Sequence, residues 1–192
     1  MRAGRASSVT DLGDGTILRV GGRPAIEAAS MEVAQRHGFP VPRVIEVRED
    51  ALVLERIDGQ TMGERLIRRP WEGARQAATL AELHERLHQI RFEGATLVHF
   101  DLHPDNVILA PGGPVVVDWT NAHAGEADAD VAMTWVILAT SAGPLGRVLA
   151  SLFRRRVGRP AIQRGLAGAH AFRLEDPHVS AAEKRRVRRA RP

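Results

Sequence analysis

His99-Phe100-Asp101-Leu102-His103-Pro104-Asp105-Asn106, followed by a valine run that starts at Val115 and ends in Asp118, is the stretch that decides the reading of this chain. Asn106-Val107-Ile108-Leu109-Ala110 and Val115-Val116-Val117-Asp118 are short apolar, largely β-branched runs. They flank the turn-forming Pro111-Gly112-Gly113-Pro114, and together predict a β-hairpin. With Ala110 near Pro114, antiparallel counting sets Asn106 opposite Asp118, Cα atoms roughly 4.5 to 5.5 Å apart. A carboxylate and an amide oxygen then converge, and such a hard-oxygen pair suits Mg²⁺. Asp101 lies on the loop entering the hairpin, where it is expected to be free to meet a substrate hydroxyl.

Other readings start from the same residues. His99, Asp101 and His103 alternate as on one side of a strand, a pattern open to a transition metal. The histidines that follow, His123, His170 and His178, lack helical ligand spacing. Taken singly, Asp101 also reads as a turn-capping residue and Asn106 as a solvated strand end.

The segments HFDLHPDN and VVVDW resemble the catalytic core of the aminoglycoside phosphotransferase and choline kinase group, small-molecule kinases with the protein-kinase fold. Their loop has the form H-x-D-x-x-x-x-N, and their metal-binding Asp follows on the next strand. The resemblance covers roughly residues 4 to 140. It implies an α+β, two-lobed protein-kinase-like fold in a compact, truncated version, with a small β-rich N-lobe and a mainly helical C-lobe. It further implies that Asp101 orients the acceptor hydroxyl and takes its proton, that Asn106 and Asp118 hold Mg²⁺, and that His99 braces the loop with Asp130 as partner. ATP or GTP would be the co-substrate and a small-molecule hydroxyl the acceptor.

The rest of the chain follows the order of that fold. Thr10-Asp11-Leu12 and Thr16-Ile17-Leu18-Arg19-Val20 flank the turn Gly13-Asp14-Gly15, a hairpin signal. Gly4-Arg5-Ala6-Ser7-Ser8 before it looks like a shortened phosphate-covering loop, with Ser7 and Ser8 expected near the phosphates. Pro24 opens a helix that Gly38 closes. On it Glu27 shares a face with Met31 and Ala34, so one carboxylate lies in an apolar stripe and calls for a cation. By the resemblance a strand lysine fills that role, and the matching position is Arg19, held by Glu27 or, if the helix is rotated, by Glu32. Arginine departs from the pattern, since its fork is broader and its charge more diffuse. The whole chain, however, holds one lysine, Lys184, so arginine is its general cation.

Ala51 to Ile57 reads as a strand, and the resemblance implies that it runs into the interlobe hinge, with Glu55, Arg56 and Ile57 the candidates for the nucleotide base. The helix after Trp71 carries Leu80, Leu83, Leu87 and Ile90 at core spacing, with His84 and His88 beside them as packed or surface histidines rather than ligands. Val131 to Ala139 is apolar on nearly every side yet too short to span a bilayer, so it reads as a buried helix. Glu126 and Asp128 stand where the acceptor pocket would begin, which suggests an amine beside the acceptor hydroxyl. No cysteine is present, and the N-terminus shows no signal-peptide pattern; a cytoplasmic protein is expected.

Charge is uneven. Residues 1–150 carry fifteen arginines against twenty carboxylates, net −5, and residues 151–192 carry twelve basic and three acidic residues, net +9. The expected division is an N-lobe over 1–57, a C-lobe over 58–180 and a disordered basic tail over 181–192. Such a run is more often a solvated end, with contact to nucleic acid or an anionic membrane surface as the alternative, and the lack of interleaved aromatic residues argues against base stacking.

Overall fold

A computed structural model of the protein describes residues 8–192. Ser7 and the rest of the expected phosphate-covering loop before Ser8 lie outside the described residues. Strands β1 (Ser8–Asp11) and β2 (Thr16–Val20) form the expected hairpin, and Ser8, assigned by sequence to the loop, pairs with Val20 at the start of β1. The carboxylates of Asp11 and Asp14 accept hydrogen bonds from the backbone N–H groups of Gly13 and Thr16 and fix the turn. Helix α1 (Pro24–Arg36) has its proline at the first helical turn and ends before Gly38, which sits at φ 71°. Strands β3 (Val44–Val47) and β4 (Ala51–Glu55) complete an antiparallel sheet of order β1-β2-β4-β3.

Past this sheet, β5 (Gln60–Thr61) leads into α2 (Met62–Arg68) through a capping box in which Thr61 and Glu64 satisfy each other's backbone N–H groups. Helix α3 (Gly73–His88) buries Leu80, Leu83 and Leu87, as its spacing predicts. Four short strands follow around residues 99–106: β6 (Arg91–Phe92), β7 (Ala95–Val98), β8 (Val107–Ala110) and β9 (Gly113–Val116). With β10 (His123–Gly125) they build two small sheets, β10-β7-β6 and β5-β8-β9, which grip residues 99–106 from both sides.

Helices α4 (Ala127–Thr140), α5 (Gly143–Val157) and α6 (Arg159–Glu175) form the remaining bulk. Apolar all round, α4 is buried along nearly its whole length, with Ala132 and Val136 fully covered. Its closest neighbour is α6, where a Cβ at Gly165 would overlap the Asp128 carbonyl, so only glycine allows the two backbones to approach. Among the described residues no helix is long and apolar enough to cross a membrane. The architecture is the expected α+β one, a small antiparallel sheet with one helix followed by a mainly helical part.

Two sequence expectations fail here. The hairpin closes with Ala110 facing Gly113 rather than Pro114, because Pro111 and Gly112 suffice as a two-residue turn and Gly113 takes φ 125°. That one-residue shift aligns Asn106 with Val117, whose N–H donates to the Asn106 carbonyl at 3.0 Å, and not with Asp118. The basic tail, expected to be disordered, instead carries α7 (Ala181–Arg189). Ser180 caps it, Val187 is fully buried, and Glu183 accepts hydrogen bonds from Ser141 and Arg173. One apolar anchor and one ion pair hold a helix whose remaining faces are charged.

Candidate active site

Arg19 stands next to the end of β2, turned to Glu27 of α1, and both residues are buried, with 5% and 2% of their surface exposed. Its Nη1 donates to Glu27 Oε2, and its Nη2 donates to Thr120 Oγ1 and, at 3.2 Å, to Asp118 Oδ1. One guanidinium thus joins the strand, the helix and the segment after β9, a three-way contact that the point charge of a lysine would not make. The Glu27 carboxylate has room only because position 22 is glycine: a Cβ there would overlap Oε1, and Gly22 also takes φ 77°. Glu32, the fallback partner, is not needed.

Asp118 occupies the left-handed region at φ 62°, ψ 66°, and Phe100 does so at φ 61°. Non-glycine residues in this region cost roughly 1–3 kcal/mol each and persist where the surroundings impose them, a pattern that clusters at functional sites. Thr120 Oγ1 donates to Asp118 Oδ1 at 2.6 Å and helps hold the turn. Neither Thr120 nor Gly22 was foreseen. A hydroxyl two residues after the strand-terminal Asp is the one local signal that would have found Thr120.

Asp101 is buried, with 1% exposed, rather than open on its loop as the sequence suggested. Asn106 Nδ2 donates to the Asp101 carbonyl and to its Oδ2, both at 2.9 Å. With its amide hydrogens turned to Asp101, the Asn106 side-chain carbonyl is left as an acceptor on the other side. His103 Nε2 lies 3.6 Å from Asp101 Oδ1. Asp101, Asp118 and Asn106 each carry a hard oxygen donor, the ligand type that suits a small divalent cation.

His99 is fully buried and meets Asp130 through the backbone: its N–H and that of Phe100 donate to the Asp130 carboxylate at 3.2 and 2.7 Å. The His99 ring reaches the Val117 carbonyl with Nε2, at 3.2 Å, and packs edge-on against Trp119. Asp130 also takes His88 Nε2 at 2.9 Å, while His84 Nε2 meets Thr134 Oγ1. His84 and His88, expected as packed or surface residues, therefore support the carboxylate that supports the loop. Burial by itself would raise the Asp130 carboxyl, but His84 and His88 beside it hold it well below the usual carboxylate range.

Burial pushes both the His84 and His99 imidazoles down, against the partial opposition of Asp130. Both imidazoles take up a proton less readily in the folded protein than in the unfolded chain, so the unfolded chain binds protons first as pH falls below about 6.5. Folding stability should therefore be level above pH 7 and decline as pH drops from 6.5 toward 5. Thermal melts across pH 5–8 check this; His84→Gln, which keeps a donor for Thr134, should flatten the slope. A midpoint independent of pH over that range would contradict it.

Arg19, Glu27, Asp118, Glu55, Arg56 and Ile57 line one cleft of about 330 Å³, with apolar walls from Ile17, Leu54 and Ile108. Glu55 also accepts from the Arg43 backbone, and Arg56 pairs with Asp11 and Asp58. A second cleft, of about 370 Å³, is lined by Leu66, Ile67, His103, Asp105, Ile137 and Arg173 and reaches to within one side chain of Asp101. Glu126 and Asp128 do not line it, and Asp128 is held by Arg164.

Residues 69–164, half of the chain, match the phosphotransferase enzyme family. A probable serine/threonine-protein kinase BUD32 homolog from Archaeoglobus fulgidus is 31% identical over 97 residues, which cover 50% of this chain and 44% of that protein. A probable bifunctional tRNA threonylcarbamoyladenosine biosynthesis protein from Methanoculleus marisnigri is 31% identical over 131 residues, covering 59% of this chain and 23% of that one. The chain thus spans less than half the length of these curated relatives. In three dimensions it is similar to a thermostable mutant of aminoglycoside phosphotransferase APH(4)-Ia, with a TM-score of 0.74 at 16% identity over 98% of this chain and 92% of that one. A Plasmodium vivax ethanolamine kinase aligns with a TM-score of 0.53 at 11% identity, covering 88% of this chain and 74% of its own. These structural likenesses show the kinase-like fold, and the family match, on the segment that holds residues 99–106 and Asp118, shows that the chain belongs to the phosphotransferase enzyme family.

Proposed function

We propose that this phosphotransferase transfers the γ-phosphate of ATP or GTP to a hydroxyl of a small molecule. The observation that carries the reading is the meeting of Arg19, Glu27, Asp118 and the hinge residues Glu55 to Ile57 on one cleft, beside the loop bearing Asp101. A related enzyme, the aminoglycoside phosphotransferase APH(4)-Ia, has been seen in a ternary complex with AMP-PNP and hygromycin B, which supports a nucleotide in this cleft and a small acceptor beside it. On this reading residues 1–57 form the nucleotide lobe and 58–180 the acceptor lobe.

The apolar walls take the base, and Glu55, Arg56 and Ile57 offer backbone groups to its edge. Arg19, kept in place by Glu27, faces the phosphates with a fixed positive charge. Asn106 and Asp118 would hold Mg²⁺, which neutralises phosphate charge when bound. Asp101, aligned by Asn106, orients the acceptor hydroxyl and takes its proton. Asp130 anchors the loop through the backbone N–H groups of His99 and Phe100, so the position of Asp101 is fixed before substrate arrives. The acceptor enters by the cleft of His103, Asp105 and Arg173, whose apolar walls suit a compact, partly apolar molecule.

One observation favours a second reading, a nucleotide-binding module without transfer: Arg19 Nη2 already engages Asp118. The two readings share a binding test. In titration calorimetry wild type should bind ATP more tightly with Mg²⁺ than without, and Asp118→Ala should erase that difference, since the Asn106 amide oxygen is uncharged and a poor ligand alone. ATP binding that ignores both Mg²⁺ and Asp118 would remove the metal role from this residue.

A further inference from the structure

A third cleft opens between α5 and α7, on the side of α4 away from the acceptor cleft, with a volume of about 450 Å³. Five arginines line it: Arg147 and Arg154 from α5, Arg186 and Arg189 from α7, and Arg191 just beyond. No carboxylate does, and its floor is apolar, from Trp135, Ala139 and Ala150. This cleft shares no lining residue with the nucleotide cleft or the acceptor cleft.

Elsewhere among the described residues some arginines are ion-paired and others, Arg68, Arg75 and Arg155 among them, are not; what sets this cleft apart is the convergence of five on one site. Arg19, Arg48, Arg65, Arg164 and Arg173 each hold a carboxylate. Among the described residues none of the five cleft arginines is in an ion pair, although carboxylates outnumber arginines over residues 1–150. Backbone carbonyls orient two of them: Arg186 Nε donates to Thr140 O at 2.7 Å, and Arg191 Nη1 donates to Arg188 O and Ala190 O. A guanidinium has five N–H donors, so each keeps several for a ligand.

Gathering five like charges is unfavourable unless an anion shares the space. Guanidinium forks match the paired oxygens of a phosphate, and five of them exceed what one phosphate takes up. The five arginines, from α5, α7 and the residues just after it, face one open cleft, and the one aromatic ring there, Trp135, is buried with 6% exposed, so no surface ring is offered for base stacking. We propose that the cleft between α5 and α7 binds a small, multiply phosphorylated molecule at a site separate from the nucleotide cleft.

The test titrates the full chain with tripolyphosphate and, in separate arms, with inorganic phosphate and a 20-nucleotide RNA. The cleft pair Arg147→Gln with Arg189→Gln is compared with Arg155→Gln plus Arg185→Gln, which removes equal charge outside the cleft, and circular dichroism checks both folds. The cleft pair should weaken tripolyphosphate at least tenfold and the control pair less than twofold, with inorganic phosphate binding far more weakly than tripolyphosphate. Equal losses in both pairs would mean diffuse surface charge, and no loss in either would place the probe elsewhere. RNA that binds through the cleft arginines while tripolyphosphate does not would replace the small ligand with an extended polyanion. Each of these three outcomes overturns the proposal.

Discussion

Replacing Asp101 by alanine should lower phosphoryl transfer by at least about a hundredfold, the low end for a positioned proton acceptor, while nucleotide affinity stays at the wild-type level. The two effects separate because Asp101 lies outside the cleft that holds Arg19 and Asp118. The substitution also removes one of the two acceptors of Asn106 Nδ2, a buried donor, at a cost of roughly 1–3 kcal/mol. Asp101→Asn keeps the volume and an acceptor oxygen for Asn106 but cannot take a proton, so it should be equally slow and melt closer to wild type. Single-turnover assays beside thermal melts check the pair. Activity preserved in Asp101→Asn would remove this residue from the chemistry.

Arg19→Ala should be felt in both stability and binding. Glu27, with 2% of its surface exposed, would keep a buried charge without its cation, and breaking such a pair from one side costs about 3–5 kcal/mol. Asp118 and Thr120 would lose the donor that ties them to β2, so nucleotide affinity should fall as well. The double variant Arg19→Leu with Glu27→Leu separates the effects: it removes both charges, should recover most of the stability, and should still bind nucleotide poorly. Arg19→Lys retains one charge but cannot reach Glu27, Asp118 and Thr120 together, and should fall between wild type and alanine in melting temperature. Denaturant unfolding with parallel nucleotide titration measures all four. A folded Arg19→Ala protein that binds nucleotide as well as wild type would contradict the assignment of β2.

What could be read in the chain follows the reach of each interaction. The need of Glu27 for a cation was legible because a carboxylate on an apolar helix face requires a partner, and the resemblance to the phosphotransferase group supplied Arg19 as the matching strand position. The helical stripe at Leu80, Leu83 and Leu87 was legible from period alone. Thr120 and Gly22 were not, since their roles exist only once β2, α1 and the segment after β9 are packed together. The hairpin register was missed by one residue because the turn sequence admits both a two-residue and a longer closure, and sequence pattern does not choose between them. Asp101 looked exposed because loop residues usually are; here the Asn106 amide and the two flanking sheets bury it. The tail looked disordered because seven of its twelve residues are charged, and its apolar anchor, Val187, is a single apolar side chain in a basic run.

The central claim is that this cleft and loop transfer a phosphate. It is tested most directly by incubating the full chain with γ-labelled ATP, and separately GTP, plus Mg²⁺ and a panel of amino sugars, amino alcohols and nucleosides, and following label into acceptor. The account predicts label on at least one hydroxyl compound, dependent on Mg²⁺ and reduced at least about a hundredfold in Asp101→Asn. Nucleotide bound in the cleft of Arg19 and Asp118 with no label passed to any acceptor, or transfer that Asp101→Asn leaves intact, would contradict it.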